Sequence, residues 1–171
     1  MKLLVTLLIF IQMGTLEFND PDLSNLRALY YQAAEDKTAA NKLSQLLADV
    51  NEQSAAILIG YKGASQMMEA KYAFNPITKL SRFNKGKTYI EKAIKKDPQH
   101  VELRFLRFSL QTNLPSFLGY GDSVAADKKF LLNAISTRID AKLKQNIVNY
   151  LLTSKECTKE ELKKLRDWQS A

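Results

Sequence analysis

Gly86-Lys87-Thr88-Tyr89-Ile90-Glu91-Lys92-Ala93-Ile94-Lys95-Lys96-Asp97-Pro98 runs almost directly into Val101-Glu102-Leu103-Arg104-Phe105-Leu106-Arg107-Phe108-Ser109-Leu110-Gln111. In the first stretch Gly86, Ile90, Ala93 and Ile94 recur at three- and four-residue intervals, which puts them on one face of an α-helix. Asp97-Pro98 closes it, because the residue before a proline is pushed out of the helical region. The second stretch is apolar around most of its circumference, so it predicts a central helix covered on two sides. The two stretches predict consecutive helices of an all-α fold.

The same signals extend upstream. Asn75-Pro76 opens the helix that ends at Asp97, as an N-cap followed by a proline whose missing N–H costs nothing there; Leu80 and Phe83 continue its inward face. A helix over about 52–74 places Gly60, Gly63, Ala64 and Met67 along one side, where small residues let a neighbour come close. A phosphate-binding glycine loop would need a preceding strand and a Lys-Ser/Thr ending, and neither is present. Residues 38–50 predict a helix with Leu43, Leu46, Leu47 and Val50 on one face. Asp20-Pro21 reads as a further opening, followed by Leu23, Leu26, Tyr30, Ala33 and Ala34 at helical spacing.

Downstream, Leu114-Pro115 stops the central helix. The loop 115–123 holds Phe117, Leu118, Tyr120 and two glycines; its apolar residues are expected to tuck against the core, with a lid over a ligand as the other reading. Helices follow over about 123–136, 140–153 and 158–169. The last opens on Thr158-Lys159-Glu160-Glu161, a capping box, and Leu162, Leu165 and Trp168 are expected to dock it. No run of β-branched residues alternates long enough for a strand.

Gly86, Ile90, Ala93 and Pro98 also fall at the positions of a small residue, a larger apolar one, an alanine and a terminating proline in the second helix of a tetratricopeptide repeat. Residues 86–98 thus resemble one half-repeat of that family, although Phe74-Asn75-Pro76 interrupts the expected preceding pattern and the period does not continue. The resemblance implies antiparallel helix pairs in a right-handed array, a shape used to bind proteins or peptides. The fold expected is therefore all-α and tetratricopeptide-like, of about seven helices in one domain over 20–171.

Composition agrees. Of 171 residues 46% are hydrophobic and 25% charged, with only 6 Gly and 4 Pro, which suits a helical globule rather than a disordered or turn-rich chain. The N-terminus differs: Lys2 precedes an apolar run from Leu3 to Ile11 broken only by Thr6. That is the layout of a secretory signal peptide and is shorter than the roughly 20 residues needed to span a bilayer. Residues 1–16 are read as an export segment, which places the remainder in a periplasmic or extracellular setting. No membrane association is expected once that segment is removed. The single Cys157 excludes an internal disulfide. The net charge of +7 is carried by cations spread from Arg27 to Arg166 among acids, so nucleic acid is not the expected partner.

Catalytic chemistry finds little support. The one histidine, His100, has no nucleophile motif near it. One His and one Cys cannot build the usual zinc sites, and no cofactor is implied. Glu102, Asp122 and Asp127 are the acids available to a two-carboxylate hydrolase under the 115–123 loop. The most directed polar feature is Arg104, Arg107 and Gln111, at i, i+3 and i+7 on the central helix with His100 extending the stripe. Its arginines would either pair internally, with Asp122, Asp127 or Glu102, or grip a carboxylate or phosphate from outside. The function expected is a non-enzymatic exported scaffold binding a protein or peptide of acidic character, with Arg104, Arg107, Gln111, Phe117 and Tyr120 as candidate contacts. The alternative is a small hydrolase or carbohydrate-active protein.

Overall fold

A computed structural model describes residues 22–169. The segment 1–16 read as an export signal and the opening at Asp20-Pro21 lie outside the described residues. Within them the chain is all-α, without a strand, and has eight α-helices, one at each helical stretch read from the sequence: α1 (Leu23–Ala33), α2 (Lys37–Leu46), α3 (Ala56–Tyr72), α4 (Pro76–Lys96), α5 (Val101–Asn113), α6 (Val124–Ala134), α7 (Ala141–Thr153) and α8 (Lys159–Gln169). Lengths run from 10 residues in α2 to 21 in α4, and the described helices show no repeated unit.

Side-chain caps satisfy the first free N–H groups of several helices. Asp22 accepts from Ser24 N, Asp36 from Thr38 N, Asn75 from both Ile77 N and Thr78 N, and Asp140 from Leu143 N. In the capping box before α8, Thr158 N donates to Glu161 Oε2 at 2.8 Å and Glu161 N donates to Thr158 Oγ1 at 3.2 Å. Lys128 Nζ donates to the same Glu161 oxygen at 2.9 Å. The Thr158 N–H, then Lys128, hold the Glu161 carboxyl below its usual range.

The closest helix pair is α3 with α4. A Cβ placed on Gly86 would lie 2.6 Å from Gly63 O and 2.7 Å from Met67 Cγ; one on Gly63 would lie 2.7 Å from Gly86 O and 2.9 Å from Ile90 N. A Cβ on Gly60 would meet Ala93 Cβ at 3.6 Å. Numbers fall along one helix as they rise along the other, so the pair is antiparallel with backbone nearly on backbone.

The buried side chains form two clusters that share α5. One contains Leu26, Leu43, Leu58, Tyr61, Ile90, Leu103, Leu106 and Leu110 from α1 to α5. The other contains Phe105 and Phe108 together with Leu131, Ile147, Val148, Leu151 and Leu165 from α6 to α8. Opposite faces of α5 feed the two cores, which is why its sequence is apolar nearly all round.

Four residues expected to pack inward stay exposed: Trp168, 36% exposed under Lys144 on α7, and Leu46, Leu80 and Phe117. Leu46 is 44% exposed, at the edge of the stripe Ala39, Ala40, Leu43 and Leu47 that α2 buries. Leu80 is 53% exposed, on the open groove that it lines with Met67, Ala70 and Lys71 of the last turns of α3. Phe117 is 84% exposed: the loop tightens into a 3-10 turn at Ser116–Leu118, and Gly119 at φ 60° reverses the chain. Leu118 and Tyr120 then pack on the first core and Phe117 points away.

Candidate functional site

The stripe on α5 is built around one carboxylate. Asp127 on α6 is fully buried. Its Oδ1 accepts from Arg104 Nη1 at 2.8 Å and from Arg107 Nη2 at 2.9 Å, and its Oδ2 accepts from Arg107 Nε at 2.7 Å. Arg107 Nη1 donates to Glu91 Oε2 at 2.7 Å, and Tyr120 Oη donates to Glu91 Oε1 at 2.7 Å. Burial alone would lower the Arg107 pKa; the hydrogen bonds and charge of Asp127 outweigh it and hold the guanidinium above its ordinary value. Arg104 uses its remaining reach on Pro98 O, at 3.0 Å, and stacks over Phe130. The network ties α4, α5, α6 and the 115–123 loop together.

Of the partners expected for these arginines, Asp127 serves both, while Asp122 is exposed and Glu102 belongs to a separate cluster. Arg27 of α1 donates to both Glu102 oxygens, Nε to Oε1 at 2.6 Å and Nη2 to Oε2 at 2.7 Å, and Tyr61 Oη donates to Oε1 at 2.7 Å. The hydrogen bonds of Glu102 raise the Arg27 pKa. The three acids nominated for hydrolysis are thus split between two arginine-bound sites and the surface. Gln111 is buried with Oε1 unpartnered among the described residues, as is His100 Nδ1. Cys157 is half-buried, and burial pushes its thiol pKa up, the direction that makes a thiol inert.

An apolar concavity lies elsewhere. A trough of about 630 Å³ runs between α1, α3, α5 and α7, with Tyr31, Met67, Met68, Phe105, Leu110 and Tyr150 among its walls and Lys71 and Glu35 among its polar residues. A second apolar groove of about 590 Å³ shares Met67, Lys71 and Leu114 with it and continues past Leu80, Pro115 and Phe117. The trough wall is firm at one side, where Tyr150 Oη is held by Thr112 Oγ1 at 2.7 Å and Asn113 Nδ2 at 2.6 Å. Tyr150 also packs edge-on against Phe105 and Phe108. At the other side Tyr31 is 46% exposed, and Lys71 Nζ donates to Ala34 O.

Tyr31 and Met68 escaped the reading of the sequence. The available signal was the doubled pairs Tyr30-Tyr31 and Met67-Met68: neighbours on a helix point about 100° apart, so both cannot face the same core. The charge distribution was missed as well. Seven cations and one acid leave α4 at +6, nearly the whole net charge of the chain.

Fold and site together define an all-α protein with an apolar, methionine- and tyrosine-lined trough. No protein family, curated protein or solved structure matches the chain. No helix among the described residues is long and apolar enough to cross a membrane, and no group of metal-ligating side chains is gathered among them.

Proposed function

We propose that this protein is a non-catalytic binding module that takes an amphipathic segment of a partner protein into the trough between α1, α3, α5 and α7. The single observation that carries the reading is the trough: about 630 Å³ of open volume with mainly apolar walls that include Tyr31, Met67 and Met68. Methionine adapts its shape to different apolar side chains, and an apolar groove of this width suits the apolar face of a helix or extended segment. Lys71 in the trough and Lys79 in the adjoining groove favour acidic residues flanking that segment. The likeness of residues 86–98 to a tetratricopeptide half-repeat points the same way. With residues 1–16 read as an export segment, the module would act in a periplasmic or extracellular setting.

Selection from a displayed library of random peptides against the chain from Thr15 onward tests the reading. Enriched sequences should carry apolar residues at helical spacing beside Asp or Glu. Met68→Glu should abolish their binding while the chain keeps its helical circular dichroism, and raised salt should weaken it. Failure to enrich any such pattern, or binding indifferent to Met68→Glu, would overturn it. The hydrolase reading has no observation in its favour at the loop.

A further inference from the structure

At the end of the molecule where α3 gives way to α4, large apolar side chains stand in solvent: Phe74 is 95% exposed, Ile77 79% and Leu80 53%. Phe117, on the 3-10 turn after α5, joins them across the groove that Leu80 and Pro76 also line. Scattered single apolar residues on a surface need no explanation, but four at one end form a patch.

Cations surround this tip. Lys37 Nζ lies 5.8 Å from the centre of the Phe74 ring, and Lys79 lines the groove beside Leu80 and Phe117. Farther along α4, Lys87 lies over the Tyr120 ring. The acids nearby are Glu69, which is paired with Arg82, and Glu35 and Asp36 beside Lys37; Asp36 is occupied as the N-cap of α2.

We infer that this tip docks on an anionic phospholipid surface, with Phe74, Ile77 and Phe117 entering the headgroup region and the cations of α4 facing the lipid phosphates. Two observations select lipid over a protein partner. Phe74, 95% exposed, and Ile77, 79% exposed, project outside the groove that Leu80 and Phe117 line, and a fluid interface receives such projections without a matching pocket. The half of α4 nearest the tip carries Lys79, Lys85 and Lys87, with Arg82 paired to Glu69, and this charge has the sign that anionic lipids attract. Apolar insertion and basic attraction together supply the two signals that peripheral attachment requires. This surface is distinct from the walls contributed by Tyr31 and Met68.

Sedimentation with vesicles tests it, using the chain from Thr15 onward. Vesicles of phosphatidylcholine with about one-third phosphatidylglycerol should retain the protein, and pure phosphatidylcholine should not. The double variant Phe74→Ser with Ile77→Ser should bind the mixed vesicles at least about tenfold less well. Its helical circular dichroism and melting should be unchanged, because both side chains are exposed. The variant Lys79→Glu should also weaken binding. No retention on the mixed vesicles would overturn the proposal. So would retention that ignores the Phe74 and Ile77 changes, since that reports charge alone. A parent chain that self-associates through the tip, or a tip change that abolishes capture of the peptides selected above while vesicles are never bound, would assign the patch to protein contact instead. Vesicle binding that survives Met68→Glu while peptide binding is lost would separate the two surfaces.

Discussion

Asp127 is the residue on which the polar interior depends. Three guanidinium hydrogen bonds converge on a carboxylate with no solvent exposure. Removing it would leave Arg107, itself buried, without a counter-charge on that side. Asp127→Ala is expected to lower stability by roughly 3–5 kcal/mol, the range for breaking a buried pair, as read by denaturant unfolding. Arg104→Ala should cost less, because Arg104 is partly solvated and Arg107 continues to hold Asp127. The tyrosines give the pH dependence. Burial first, then the carboxylates of Glu102 and Glu91 for Tyr61 and Tyr120 respectively, raise the pKa of Tyr30, Tyr61 and Tyr120 well above the ordinary tyrosine value. An unfolded tyrosine ionises near pH ~10. The folded state therefore binds these protons more tightly, and its stability is full below that pH and is lost as pH rises toward the folded values. Ultraviolet titration should show these phenols ionising together with loss of helical circular dichroism; phenolate appearing first, in a still helical protein, would contradict the burial described.

The α3–α4 pair offers a contrast between glycines. Gly63 and Gly86 each face the other's backbone carbonyl at less than 3 Å from an added Cβ, and backbone cannot swing aside. Gly60 would meet Leu103 Cδ2, the end of a flexible side chain. Gly63→Ala and Gly86→Ala should destabilise by about 1–3 kcal/mol through overpacking. Gly60→Ala should lose much less, since the better helix propensity of alanine offsets part of the cost. Equal melting of all three would refute the close approach. This packing was legible in the sequence because small residues at helical spacing have few other uses, and the helix ends were legible at Asn75-Pro76, Asp97-Pro98 and the Thr158 box. Leu80 was misplaced because periodicity reports a face but not which part of it an open groove leaves uncovered. The stripe Arg104, Arg107 and Gln111 was visible and Asp127 stood among the partners named for it, whereas Glu91 lies sixteen residues from Arg107, a proximity that only the tertiary arrangement creates. Tyr31 and Met68 were hidden for the same reason: what they line is a space between four helices.

The whole molecule has two cores on the two faces of one helix, with Leu103, Leu106 and Leu110 of α5 in one and Phe105 and Phe108 in the other. Outside α5 the halves meet at the ion pair of Arg27 on α1 with Asp140 at the start of α7, while α5 itself is tied to α6 by Arg104 and Arg107 on Asp127. Such an arrangement does not open uniformly. The amides of α6, α7 and α8 should exchange with deuterated solvent as one group, at a lower free energy than those of α3, α4 and α5, because releasing the smaller core leaves the larger intact. Native-state exchange by mass spectrometry would resolve the two groups, and a single group spanning all eight helices would refute the division. Because Phe105 and Tyr150 line the trough from the smaller core's side, a segment seated there would hold the two groups together. Its arrival would be recorded as slowed exchange far away in α8, at amides it never touches.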